Sequence, residues 1–240
     1  MATSYPFKPI VTDGMILYVD AANTKSYNGS NIWSDLTDYH DDGDLINTPV
    51  FSNVNGGSLL FNGIDTYIDF GDVLNMGTYS YTINTWIKLN SNGYQWFFSK
   101  GIANTQSYRY GIGCWFTNTL HAFIVGDAYD ILVYGSTVLP INEWFMATCV
   151  FDRNADVSIY YNGVLETLTN ASGQSSTISQ WAGQNFQSNN PLRIASFTAG
   201  DNVSIYAVTD GDISISQVYN RVLTSNEILQ NYDAQKNRFI

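Results

Sequence analysis

Tight turns set the length of everything between them in this sequence. Five Asn-Gly dipeptides (Asn28-Gly29, Asn55-Gly56, Asn62-Gly63, Asn92-Gly93, Asn162-Gly163) and three Asp-Gly dipeptides (Asp13-Gly14, Asp42-Gly43, Asp210-Gly211) punctuate 240 residues. Two-residue hairpin turns demand positive φ at their centre, and these pairs supply it at little cost. The runs between them are short and alternate with a period of two. In 156–161, Val157, Ile159 and Tyr161 share one face, Ser158 and Tyr160 the other, and Asn162-Gly163 turns the chain back into Val164-Leu165. In 81–89, Tyr81, Ile83, Thr85, Ile87 and Leu89 share a face, while Asn84, Trp86 and Lys88 point the opposite way. That period belongs to strands, and many short strands between frequent turns build a sandwich or a barrel. Further strands are expected at 15–20, 58–61, 67–70, 95–99, 109–115, 122–125, 131–134, 145–151, 192–195 and 204–208.

One segment breaks the pattern. Thr224 and Glu227 have capping-box spacing, with Leu223 and Ile228 in the staple positions around them, so the sequence predicts a helix from 225 to about 235. The stretch 169–190 is rich in Ser, Gln, Asn and Gly and reads as one long ordered loop anchored by Ile178, Trp181 and Phe186. No break in composition marks a linker. A single domain over 1–240 is expected, with 1–12 as an N-terminal extension and 224–240 as a helix and tail.

Aromatic residues make up 15% of the chain and charged residues 13%, which suits a large core. A net charge of −11, with ten dispersed Lys and Arg, argues against nucleic acid or an anionic membrane as partner. The start shows neither the basic head nor the apolar run of a signal peptide, so retention in the cytoplasm until release by another route is expected. Cys114 and Cys149 lie in apolar runs without metal or redox spacing and are expected to be free and buried. The basic, aromatic end, 236–240, either frays or complements an acidic surface of a neighbouring molecule; the second case implies a multicopy or homo-oligomeric assembly.

The order of these pieces resembles a known family. Leu60-Phe61-Asn62-Gly63 leads to Tyr67-Ile68; then come the 82–86 strand, Phe97-Phe98-Ser99-Lys100-Gly101, Trp144 before its strand, Tyr160-Tyr161-Asn162-Gly163, Pro191-Leu192-Arg193-Ile194, and Gly211 through Leu223. This series is similar to the LamG-like jelly roll of the concanavalin A-like lectin/glucanase superfamily. The resemblance implies an all-β, two-sheet antiparallel sandwich with one short C-terminal helix. A narrower likeness joins the opening, Asp13 to Asn23 followed by Trp33-Ser34-Asp35-Leu36, and the closing helix with its basic tail, to LamG-like modules in virion proteins of tailed bacteriophages. It implies a capsid decoration, neck or tail/fibre component, assembled in the host cytoplasm, with other virion proteins and a cell-surface glycan as partners. The sequence departs from those modules at 37–43, where a Gly/Asn-rich turn is usual.

Candidate chemistry follows from residue types. Glycoside hydrolysis needs two carboxylates flanking the scissile bond. The superfamily's Glu-x-Asp-x-x-Glu strand is absent, and Glu143, Glu166 and Glu227 stand far apart, so no enzyme is expected. A polysaccharide-cleaving hydrolase built on Asp residues of separate strands is the alternative. His121 alternates with core residues and reads as structural. Calcium is a second question, because Asp65, Asp69 and Asp72 cluster around Gly71; turn residues are the expected role, and no cofactor is assigned. Sugar binding calls for an exposed aromatic platform beside amides and carboxylates. Trp86, Trp96, Trp115, Trp181 and Tyr129 are the available platforms, although most tryptophans are expected to fill the core. The expected ligand residues are Trp86, Asn84, Trp181, Asp127 and Asp130, and the reading is a non-enzymatic sandwich that binds carbohydrate or docks on other virion proteins.

Overall fold

Strands form where the alternation predicts them. The computed structural model describes residues 8–103, 108–126, 130–170, 177–179, 183–201 and 204–240. The first strands are β1 (Met15–Asp20), β2 (Ile32–Trp33), β3 (Gly43–Ile46), β4 (Val50–Ser52), β5 (Ser58–Asn62), β6 (Tyr67–Asp69) and β7 (Tyr81–Leu89). Then come β8 (Gln95–Lys100), β9 (Arg109–Cys114), β10 (Thr119–Val125), β11 (Asp130–Val138), β12 (Trp144–Phe151), β13 (Val157–Tyr161) and β14 (Val164–Leu165). The last are β15 (Thr169–Asn170), β16 (Leu192–Ile194), β17 (Phe197–Thr198), β18 (Ile205–Tyr206) and β19 (Asp210–Tyr219), before the helix α1 (Ser225–Gln235). Ile178 and Phe186, two of the three anchors expected in 169–190, are buried in the core; Trp181 lies outside the described residues.

The strands assemble into two antiparallel sheets. The first runs β14-β13-β12-β7-β19-β5-β4, with β1 also pairing β19; the second runs β15-β11-β10-β9-β8-β16-β6-β3-β2. The core between them takes one face of each strand: Tyr81, Ile83, Ile87 and Leu89 from β7, Tyr110, Ile112 and Cys114 from β9. A register shift between Trp96 and Phe98 lets both Phe97 and Phe98 enter this core while Trp96 turns outward. Asn162 (φ 50°) and Gly163 (φ 80°) close the β13–β14 hairpin with the positive angles the dipeptide was expected to supply. Both cysteines are free and buried, and burial pushes the Cys114 thiol up to about 12.

The outer face of the first sheet is also covered. Trp86, Trp144, Met146, Tyr160 and Ile215 point away from the main core into a second apolar layer roofed by Val11, Leu223, Ile228 and Phe239. Helix α1 forms this roof because its first turn is fully capped. Thr224 N donates to Glu227 Oε2 at 2.9 Å, Glu227 N donates to Thr224 Oγ1 at 3.3 Å, and the Arg221 guanidinium holds the Glu227 carboxyl down at about 2. Asn231 ties helix to sheet, accepting from Val11 N at 2.8 Å and donating to Tyr219 Oη at 3.0 Å.

The tail corrects an expectation. The end of the chain does not fray, because Arg238 and Phe239 are built into their own chain. Phe239 stacks on Trp86 with centroids 4.3 Å apart, and Arg238 pairs with Asp20 at 2.8 Å while donating to Asn55 O at 2.8 Å and Gly57 O at 3.0 Å. Replacing Phe239 by Ala is expected to cost about 3 kcal/mol of unfolding free energy in urea, through the cavity left over Trp86. Thr224→Ala should cost about 1 kcal/mol through loss of the cap; an unchanged midpoint in either variant contradicts this account of the roof.

Candidate functional site

Strand β9 carries large residues on its core face, while two of its three outward positions are glycine. Tyr110, Ile112 and Cys114 fill the core, so the alternating positions Gly111 and Gly113 face outward from the second sheet. Neighbouring rings fold into that bare strip. A Cβ on Gly111 would come within 2.7 Å of Phe123 Cε1, and one on Gly113 within 2.8 Å of Trp96 Cε3. Register explains the arrangement, since Gly113 pairs with His121 and Gly111 with Phe123. The β17–β18 ribbon then adds Phe197 and Tyr206 from the side.

The rings form a closed circuit around Trp96. Centroid distances are 4.6 Å for Tyr94–Trp115, 5.0 Å for Trp115–His121, 6.2 Å for His121–Phe123, 5.4 Å for Phe123–Phe197, 5.6 Å for Phe197–Tyr206 and 5.9 Å for Tyr206–Tyr94. Over it lies a recess of about 280 Å³. Trp96, His121 and Phe123 make its buried floor; Tyr94, Trp115 and Tyr206 stand half-buried at its rim. Val125, which pairs with Arg109 on one side and Asp130 on the other, marks the charged end of the recess.

Burial decides the electrostatics. His121 is 1% exposed, and desolvation lowers its pKa to about 3, so the imidazole is neutral at physiological pH. Neither of its ring nitrogens has a hydrogen-bond partner among the described residues. Desolvation also raises both Tyr94 and Tyr206, so their hydroxyls remain neutral. Arg109 donates to Ile102 O at 3.3 Å, and Asp130 is exposed. The recess is therefore largely apolar, with Arg109 and Asp130 at its edge among the described residues.

Of the residues expected at a ligand site, Asp130 is here, together with the platforms Trp96 and Trp115. Trp86 and Asn84 are not. They lie on the opposite sheet, 0% and 1% exposed, where Phe239 and Tyr232 cover the Trp86 ring and Gln235 Oε1 accepts from its Nε1 at 2.8 Å. The polar face of β7 looked solvated in sequence because the covering helix lies more than a hundred residues away. Asp127, Tyr129 and Trp181 lie outside the described residues. Sequence reading missed His121, Tyr94, Tyr206 and Arg109; the outward glycines of β9 were the available signal.

The aspartates around Gly71 do not form a cation site. Asp69 pairs with Arg193 at 3.1 Å, Asp72 with Lys100 at 3.0 Å, and Asp65 accepts from Asn62 at 2.8 Å, so each carboxylate is taken up separately. Among the described residues no group of three or more His, Cys, Asp or Glu is placed to hold a metal, and no helix is long and apolar enough to cross a membrane.

With this geometry in view, comparisons with known proteins become informative. The family model Laminin_G_3, described as concanavalin A-like lectin/glucanases superfamily, matches residues 62–229. The chain belongs to that superfamily. Among solved structures, the superfamily fold of this chain is similar to domain 4 of AbnA, a GH43 extracellular arabinanase from Geobacillus stearothermophilus, in complex with arabinotriose. That match has a TM-score of 0.66 at 15% identity, covering 91% of this chain and 98% of the other. Trypanosoma rangeli sialidase in complex with sialic acid matches with a TM-score of 0.66 at 15% identity, over 96% of this chain and 34% of the sialidase. The binding domain of botulinum neurotoxin serotype G matches at 0.62 and 17%, over 91% and 50%. The chain thus spans about a third of the sialidase and half of the toxin fragment. No curated protein matches the sequence significantly. At these identities the structural matches establish the lectin/glucanase fold and leave the ligand to the site itself.

The buried His121 has a consequence for stability. Unfolded, it titrates near 6.5; folded, near 3, so between these values the unfolded chain binds more protons and stability falls as pH drops. His121→Phe should flatten the pH dependence of urea unfolding between pH 6.5 and 3. An equally steep profile in the variant would place the titrating group elsewhere.

Proposed function

We propose that this chain is a non-enzymatic carbohydrate-binding sandwich whose ligand site is the aromatic recess of the second sheet. We further propose, from the likeness of its opening and closing segments to modules of tailed-phage virion proteins, that it serves on such a particle as a decoration, neck or tail/fibre component. One observation carries the first reading: a ring of aromatic side chains around a recess that ends in Arg109 and Asp130. A pyranose has an apolar face that packs on aromatic rings and a polar edge that needs donors and acceptors beside them. The setting on a particle rests on residues 13–36 and 227–239.

Carboxylate placement favours binding over cleavage. Asp130 is the only carboxylate among the described residues of the recess. Glu166 accepts from Ser136 N at 2.8 Å and Thr137 N at 2.7 Å, and Glu227 is held by Arg221 and Thr224, so neither is available as a general acid there.

A glycan array with the purified chain is expected to give binding that drops at least tenfold in Trp115→Ala, while incubation with capsule, lipopolysaccharide and β-glucan polymers releases no new reducing ends. Turnover that disappears in Asp130→Asn or Asp127→Asn replaces this reading with that of a hydrolase. Detection of the chain in purified virions by mass spectrometry tests the setting.

A further inference from the structure

We propose that the fold leaves two of the five Asn-Gly pairs, Asn28-Gly29 and Asn92-Gly93, open to spontaneous deamidation and shields the other three. Asn28 and Asn92 are then modification sites of the folded chain, and Asn92 stands two residues before Tyr94 at the rim of the recess.

The reaction consumes only water. The glycine backbone nitrogen gives up its proton and attacks Cγ of the preceding Asn; the new N–Cγ bond closes a succinimide, and the Cγ–Nδ2 bond breaks to release ammonia. Water then adds to one ring carbonyl. Opening at Cγ leaves Asp, and opening at the main-chain carbon leaves isoaspartate. Glycine favours ring closure because no Cβ shields its nitrogen or restricts its backbone. Closure still requires the Asn side chain to swing onto that nitrogen while the peptide turns. Pinning the amide or crowding the glycine therefore blocks it.

Hydrogen bonds pin three of the five amides. Asn62 is exposed, as Asn28 and Asn92 are, so exposure does not separate the pairs. Yet Asn62 Oδ1 accepts from the backbone nitrogens of Ile64, Asp65 and Thr66 at 2.9, 3.0 and 3.2 Å, its Nδ2 donates to Asp65 at 2.8 Å, and the attacking nitrogen, Gly63 N, donates to Thr209 O at 3.0 Å. Asn55 Nδ2 donates to Arg238 O at 2.8 Å, and Asn162 Oδ1 accepts from Met146 N at 2.8 Å. Each of these bonds must break before the ring can form. Asn28 makes only an exposed local contact, from Ser30 N at 3.1 Å, and no hydrogen bond ties the Asn92 amide to the described residues.

Packing around the glycines divides the pairs the same way. A Cβ at Gly56 would lie 3.3 Å from Arg238 Nε, at Gly63 2.9 Å from Asp210 Cβ, and at Gly163 3.2 Å from Leu229 and Tyr232 of helix α1. Nothing lies within 4 Å of that position at Gly29 or Gly93. Cys114 Sγ donates to Gly93 O at 2.8 Å, but closure uses the nitrogen at the other end of that residue. Asn28 lies between β1 and β2 and Asn92 between β7 and β8, on connections whose local opening does not require the sheets to separate. Conversion at Asn92 adds a carboxylate next to Gly93-Tyr94, and the isoaspartyl route also inserts a backbone carbon there.

The test follows all five pairs at once by peptide mapping and mass spectrometry, with the intact chain held at mildly alkaline pH either folded or in urea. In urea all five should convert at comparable rates. In the folded chain Asn28 and Asn92 should keep that rate to within a few-fold, while Asn55, Asn62 and Asn162 slow by at least about tenfold, because their conversion waits on an opening of the structure. Each conversion adds one negative charge, so acidic species should accumulate on isoelectric focusing of the folded wild-type chain and be suppressed in a variant carrying Asn28→Gln and Asn92→Gln, since glutamine closes the larger ring far more slowly. Conversion of folded Asn62 as fast as Asn92, or slowing of Asn28 and Asn92 by folding as strongly as the other three, overturns the inference. Neither result bears on whether the recess binds a sugar.

Discussion

Strand β7 is buried on both faces, and the architecture follows from covering both. Eight of its nine residues are inaccessible, with only Lys88 part-exposed. Tyr81, Ile83, Ile87 and Leu89 are satisfied by the facing sheet, as in any sandwich. Trp86 points the other way and needs a second cover that strands alone do not provide. The capped helix, the Phe239 stack and the Arg238 pairings with Asp20, Asn55 and Gly57 supply it. Early and late segments of the described chain meet here, since Val11 N donates to Asn231 Oδ1 and Tyr219 Oη donates to Val11 O. Burying an indole of this size contributes on the order of 2–3 kcal/mol, enough to make the last five residues part of the fold.

The second sheet handles its outer face differently. Among the described residues no helix packs there; instead a two-stranded ribbon covers part of it, and two of the three outward positions of β9 are glycines. The two devices act together. Glycine removes the side chains that would fill the strip, and the ribbon raises a wall beside it, so aromatic rings from β8 and β10 fold into the strip and leave a hollow above. The same sandwich therefore has one outer face roofed by a helix and one that keeps an open recess. A recess on rigid strands is preorganised, which lowers the ordering cost of binding.

This division explains what was legible beforehand. Period-two alternation and Asn-Gly turns are local signals, so strands such as 15–20 and the cap at Thr224 could be read to within a residue. Facing direction was legible too: Trp86 does point away from the main core, and His121 does alternate with core residues. What sequence could not supply was the identity of the cover. Trp86 and His121 both sit on the outward side of a strand; one is roofed by residues from the far end of the chain and the other lines a recess. The pairing of Gly111 with Phe123 and Gly113 with His121 is a fact of register across strands, and no single strand displays it. Asp130 and Trp115 were identifiable as residue types suited to a sugar, but their convergence required the sheet.

Charge links the recess to the rest of the surface. A net charge of −11 repels anionic polymers at long range, yet salt screens such fields beyond about 8 Å, so distant carboxylates shape encounter rates more than affinity. Inside the recess His121 contributes no charge because burial has neutralised it, so the electrostatic character there is set at the edge, where Arg109 and Asp130 stand among the described residues.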